Sequence, residues 1–67
     1  MRSNKRVALT KREQQIAELI VRGLGNRQIA NKIGNTVGTV KFQVHCILTK
    51  QGVSRRKHLA ATLLHDQ

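Results

Sequence analysis

A connection of only two residues, Gly34 and Asn35, is the strongest constraint on how this chain can fold. Apolar residues at helical spacing predict one helix over residues 26–33 before the connection and a longer helix over 37–51 after it. Glycine permits a positive φ and asparagine tolerates it better than most residues, so this pair suits a tight turn. Two helices joined by so short a turn must cross steeply, which is the helix-turn-helix arrangement.

The helix after the turn has an unusual outer face. Thr36 is its predicted N-cap and Gly52 its predicted stop. At about 100° per residue, Phe42 and His45 lie opposite the apolar stripe, with Lys41 on one flank. Phe42 is the only aromatic residue in the chain. An aromatic ring and an imidazole on an outer face flanked by lysine suit a helix that enters the major groove of DNA. The stripe itself consists of Val37, Val40, Val44, Ile47 and Leu48.

Two further helices complete a predicted all-α, four-helix fold. The first covers residues 10–22, where Thr10 and Glu13 have the spacing of a capping box. The last covers residues 55–64, with Ser54 as its predicted N-cap.

The apolar face of the last helix is wider than one packing surface requires. At about 100° per residue it covers roughly 200° of the helix circumference. The surplus is either ordinary surface alanine and leucine or part of a subunit interface, and the pattern leaves both interpretations open. The residues concerned are Leu59, Ala60, Ala61, Leu63 and Leu64.

The charge balance favours a polyanionic partner. Thirteen lysines and arginines against three acidic residues give a formal net charge of +10. Nucleic acid is the commonest polyanion in a cell, although a generally basic protein such as a ribosomal one would have the same balance. The length allows one small domain, which we place at residues 9–65. Residues 1–8 lack sustained periodicity and are predicted to form a flexible basic arm or linker.

Other classes of function have little support. The single cysteine, Cys46, excludes an internal disulfide framework and fits a reducing compartment. No apolar run approaches the roughly 18 residues that span a bilayer, so we expect a soluble, cytoplasmic protein with no membrane partner. With three carboxylates and no set of acid, base and nucleophile, the chain is not expected to be an enzyme.

Metal binding is also not expected. His58 and His65 lie about 10.5 Å apart along a helix. His45 and Cys46 project about 100° apart. Neither pair can chelate a zinc ion, and we expect no cofactor.

A series of residues in a fixed order runs through most of the chain. They are Leu9, Thr10, Arg12, Glu13, Gly23, Leu24, Asn26, Ile29, Ala30, Thr39, Val40, Lys41, Lys50, Gly52, Val53 and Arg56. Together they resemble the DNA-binding domain of LuxR-type, also called GerE- or NarL-type, bacterial transcription regulators, over Leu9 to about Leu64. The chain departs from that family's pattern at Asn35, Gly38, Gln43 and Gln51.

This resemblance implies a regulator that binds promoter DNA through its third helix and acts on the bacterial RNA polymerase. It implies that the fourth helix supports a homodimer. On the family's pattern, Lys41, Phe42 and His45 face the bases of double-stranded DNA, and the helical positions of Phe42 and His45 agree with this independently. The predicted phosphate contacts are Thr36, Thr39, Asn26, Lys50 and Arg56, and the predicted dimer interface is Leu59, Leu63 and Leu64.

Plainer interpretations stand beside these. Phe42 could fill the core, Lys41 could be solvated, and His45 could simply occupy space. We also expect Arg56 to pair with Glu13 and so to fix the fourth helix to the first. The leading functional prediction is sequence-specific DNA binding by a dimer. The alternative is a protein-interaction module or anti-activator that keeps the fold and uses Phe42 and the leucines of the fourth helix to grip another regulator.

Overall fold

The computed structural model describes residues 7–65, and it describes side chains as far as Leu63. Within this range the chain forms four α-helices and no strand. The all-α prediction is confirmed. The second and third helices have their predicted bounds, and the first lies inside its predicted range with Thr10 and Arg22 as caps. The helices are α1 (Lys11–Val21), α2 (Asn26–Ile33), α3 (Val37–Gln51) and α4 (Arg56–His65).

The turn between α2 and α3 forms as predicted. Gly34 adopts φ 72° and ψ 45°, a left-handed conformation that suits glycine. The Asn35 amide donates to the carbonyl oxygen of Ala30 at 2.9 Å. This is the hydrogen bond of a Schellman motif that closes six residues of the chain. The side-chain oxygen of Asn35 accepts from the Thr36 amide at 2.9 Å. Asn35 therefore links the end of α2 to the start of α3.

One apolar cluster joins the four helices. The inner stripe of α3 is the predicted one, and it is held in this cluster. The opposite face of α3 must therefore point away from the core. The buried members are Ile16, Leu19, Ile20, Ile29, Ala30, Val40, Val44, Ile47 and Leu59.

α4 begins one residue later than predicted. The Leu59 amide donates to the carbonyl oxygen of Arg55 at 3.2 Å, so the helical hydrogen bonds start from Arg55 and the prediction of Ser54 as N-cap is wrong. Leu59 has no exposed surface and belongs to the core. Its side chain is therefore not available to the predicted dimer interface. Leu63 is partly buried against the core, and the side chain of Leu64 lies outside the described residues.

Val7 is bound to the end of α3. Its amide donates to the carbonyl oxygen of Lys50 at 3.1 Å, and its carbonyl oxygen accepts from Gln51 Nε2 at 3.4 Å. Contacts with α3 thus begin before Leu9, the predicted start of the domain. Gln51 is 9% exposed, and this hydrogen bond gives its buried amide a partner. The predicted basic arm stays a prediction, and residues 1–6 lie outside the described residues.

Glu13 joins α1 to α3. Its Oε1 accepts from the Thr10 amide at 2.9 Å and from Lys50 Nζ at 2.7 Å. Thr10 Oγ1 accepts from the Glu13 amide at 3.1 Å, so the predicted capping box is confirmed. One carboxylate therefore caps a helix and forms an ion pair across the domain.

Arg56 does not pair with Glu13, and that prediction is wrong. Its guanidinium donates instead to Asn26 Oδ1 and to the carbonyl oxygen of Leu24. The reason is positional, because the start of α4 lies beside the connection from α1 to α2, whereas Glu13 lies beside the last turn of α3. The Arg56 side chain thus links the first turn of α4 to the start of α2, and not to the start of α1.

The ion pair should make stability depend on pH. Hydrogen bonds from Lys50 and then from Thr10 lower the pKa of Glu13 below its usual value of 4.5. A carboxyl whose pKa is lower in the folded state stabilises the fold above its unfolded pKa, and this contribution is lost as pH falls through the folded pKa. We expect Glu13→Gln to lower the free energy of unfolding by about 1 kcal/mol at neutral pH.

Thermal denaturation at neutral and acidic pH measures this effect. Glu18→Gln is the matched control, because Glu18 is an exposed carboxylate on the same helix. The difference between the Glu13 variant and the unmodified protein should shrink as the pH falls. Equal midpoints for the two proteins at neutral pH would contradict the proposed contribution.

Candidate nucleic-acid interface

The outer face of α3 presents the residues predicted to contact bases. Phe42 is 66% exposed, and Lys41 and His45 are exposed beside it. Within the described residues, Phe42 and Val7 are the exposed large apolar side chains. The interpretation of Phe42 as a core residue is therefore wrong. Base contact by Lys41, Phe42 and His45 stays a prediction.

The first turn of α3 combines two hydroxyl groups with free helix amides. Thr36 Oγ1 accepts from the Thr39 amide at 3.2 Å and donates to Thr39 Oγ1 at 3.0 Å. The turn contains no acidic residue. Gly38 is exposed, and open space surrounds the position where a Cβ atom would lie. The partial positive charge of a helix N-terminus favours an anion, so this end of α3 is suited to a phosphate that approaches closely.

The other predicted phosphate contacts lie elsewhere and have partners inside the domain. Asn26 and Arg56 bind each other where α2 and α4 begin, and Lys50 binds Glu13 at the far end of α3. Burial lowers the pKa of Arg56, although a guanidinium stays charged at neutral pH. The structure thus brings Thr36 and Thr39 together and separates them from the remaining three residues.

Cations dominate the described surface. Of the acidic residues in the described range, Glu13 is paired with Lys50 and Glu18 is exposed. A surface of this kind attracts a polyanion before any specific contact forms. The exposed cations are Lys11, Arg12, Arg22, Arg27, Lys32, Lys41, Arg55 and Lys57.

Two polar residues of α3 have surroundings that the sequence analysis did not predict. Gln43 is half-buried, and its Oε1 has no hydrogen-bond partner among the described residues. Thr49, which lies on the outer face, donates through Oγ1 to the carbonyl oxygen of His45 at 3.0 Å. Its position four residues after His45 was the available signal, because a threonine at that spacing can bond back to its own helix.

Two further properties limit the chemistry of the described part of the chain. No group of three or more His, Cys, Asp and Glu side chains within it could hold a metal ion. None of its helices is both long enough and apolar enough to cross a membrane.

Comparison with known proteins agrees with the fold and with the resemblance. Residues 7–63 match the family described as bacterial regulatory proteins, luxR family. Similar proteins include the oxygen regulatory protein NreC from Staphylococcus aureus strains JH9, JH1 and USA300. Each is 41% identical over 51 residues, which cover 76% of this chain and 24% of the relative. The chain therefore spans about a quarter of the length of these relatives.

The family match extends over all four helices, from Val7, which binds the end of α3, to Leu63 in α4. It includes the helix-turn-helix formed by α2 and α3. The chain thus belongs to the luxR family of bacterial regulatory proteins and forms a DNA-binding domain of that family.

Proposed function

We propose that this regulator recognises specific sites in duplex DNA by placing α3 in the major groove. The observation that carries the proposal is the exposure of Phe42, at 66%, on a helix whose opposite face is held in the core. Buried apolar residues fix the rotation of α3, so Lys41, Phe42 and His45 are presented outward together.

Each of the three side chains has a base edge that suits it. Lys41 can donate to the O6 and N7 acceptors of guanine, and the ring of Phe42 can contact a thymine methyl group. His45 can donate to a purine acceptor. These contacts would supply the choice of site, because the groove edges differ between base pairs whereas the phosphates do not.

Phosphate contacts would supply most of the affinity. The main phosphate site in this proposal is the first turn of α3, with Thr36, Thr39 and the first amides of the helix. The two hydroxyl groups bond to each other at this exposed helix start, and not to another part of the domain. Asn26, Lys50 and Arg56 contribute a smaller share, because each already has a partner within the domain. Neutralising phosphates releases counterions, so binding should weaken steeply as salt is added.

The regulator would act as a homodimer, with one α3 in each half-site. Ala61 is exposed on α4 and Leu63 is only partly buried, so the outer side of α4 is open to a second copy. Two-fold symmetry would then place the recognition helices about 34 Å apart, one turn of DNA. Bound at a promoter, the dimer would influence the bacterial RNA polymerase, as the family's role in transcription suggests.

The second candidate is the protein-interaction module or anti-activator. The same exposed ring favours it, because a lone exposed Phe42 also suits the pocket of a partner protein. In that case DNA affinity would not depend on the ring. The two candidates therefore differ in what Phe42→Ala does to DNA binding.

Phe42→Ala should reduce the preference for a selected duplex over a random one by about tenfold, because a lost apolar base contact removes discrimination. Nonspecific binding should persist, since the cations and phosphate contacts remain. Fluorescence anisotropy with both duplexes measures the ratio of affinities. Val7→Ala is the matched control, because Val7 is also a large exposed apolar residue but lies outside α3. An unchanged ratio in Phe42→Ala would favour the protein-interaction module.

A further inference from the structure

An open groove of about 490 Å³ lies between the end of α1 and the start of α4. Its apolar lining residues, Ile20, Leu24 and Ala60, are buried or half-buried and form its floor. None of its lining residues belongs to α3. The groove is therefore separate from the helix face assigned to DNA.

The rim of the groove is strongly basic. Three consecutive cations, Arg55, Arg56 and Lys57, line it, and no acidic residue does. Arg55 and Lys57 are exposed, whereas Arg56 is held by its hydrogen bonds to Asn26 and to the carbonyl oxygen of Leu24. Arg56 therefore fixes the start of α4, and Arg55 and Lys57 are the cations of the rim that remain available to an anion.

We propose that this groove docks an acidic, partly apolar peptide segment of a partner protein. Charge complementarity identifies the occupant, because carboxylates can lie against Arg55 and Lys57 while an adjacent apolar side chain rests on the floor. A phosphodiester backbone would satisfy the cations but would leave Ile20, Leu24 and Ala60 against a polar strand. The combination of apolar floor and basic rim therefore fits a peptide with both kinds of side chain.

A labelled synthetic peptide of alternating aspartate and leucine tests this inference by fluorescence anisotropy at physiological salt. Lys57→Glu should weaken binding by about tenfold. Ala60→Arg should weaken it similarly although it adds a positive charge, because the larger side chain occupies the floor. Lys11→Glu, which makes the same charge change at the opposite end of α1, should retain most of the affinity. Arg55→Glu gives a second exposed variant should Ala60→Arg fail to fold.

Several results would overturn the proposal. Equal losses in Lys57→Glu and Lys11→Glu would show general charge attraction, and tighter binding by Ala60→Arg would show that the floor is not used. A peptide of aspartate alone that binds as well would lead to the same conclusion. If Lys57→Glu weakens binding of a random DNA duplex more than Lys11→Glu does, the groove holds phosphates. Because Phe42→Ala is measured with DNA and not with this peptide, the proposed DNA recognition and the groove can fail independently.

Discussion

Leu59→Ala is expected to lower the free energy of unfolding by about 3 kcal/mol. Leu59 is fully buried and is the member of the buried core cluster that α4 supplies. Its truncation leaves a cavity that neighbouring side chains can fill only in part. A domain of this size has only a few kcal/mol of net stability, so a large fraction of the variant should be unfolded at 37 °C. Urea denaturation followed by circular dichroism measures the loss.

The same variant separates a core role from an interface role. If Leu59 acted mainly between two copies, the substitution would weaken self-association and leave the stability of the single chain unchanged. We expect the opposite result, with a loss that does not depend on protein concentration. Ala61→Ser on the exposed side of α4 is the control and should change the free energy of unfolding by less than about 0.5 kcal/mol.

Lys41→Glu should weaken binding to a selected DNA site by about a hundredfold. The substitution removes a hydrogen-bond donor from the exposed edge of α3 and would place a negative charge against the major groove of the DNA. Because Lys41 is exposed, the fold and its thermal midpoint should be preserved. Anisotropy titration at a fixed salt concentration gives the affinity.

Lys11→Glu is again the matched control, since it makes the same change in net charge on an exposed residue of α1. It should weaken binding only a few-fold through the overall potential of the protein. Similar losses in the two variants would mean that charge alone governs binding. Lys41 would then have no special position relative to the DNA.

Local chemistry accounts for what the sequence could predict. The capping box of Thr10 and Glu13 depends on residues three positions apart, and the turn at Gly34 depends on one left-handed residue. The inner stripe of α3 follows from helical periodicity, and the exposure of Phe42 follows from the same periodicity. Features that arise within one or two helical turns can therefore be recognised from the sequence.

Contacts between distant residues were not predictable in the same way. Glu13 and Lys50 are 37 positions apart, and no periodicity indicates which of thirteen cations a carboxylate will meet. The sequence suggests a pair between Arg56 and Glu13, but the packing of α4 places Arg56 beside Asn26 instead. The groove has the same origin, because it forms only when the end of α1 meets the start of α4.

The apolar face of α4 shows a further limit of periodicity. Leu59 and Ala61 belong to the same broad stripe in the sequence, yet Leu59 is buried and Ala61 is exposed. The stripe is wider than the contact that α4 makes with the core, and only the packing decides which edge is covered. The residues of the proposed dimer surface could therefore not be separated from those of the core in advance.

Selection of bound duplexes from a random pool, repeated at several salt concentrations, tests whether α3 reads a DNA sequence. We expect enrichment of a defined subset with two half-sites related by two-fold symmetry. Affinity for that subset should fall steeply with salt while the preference for it persists. Uniform binding that disappears as salt is added, or no binding to any duplex, would contradict the claim that α3 reads a DNA sequence.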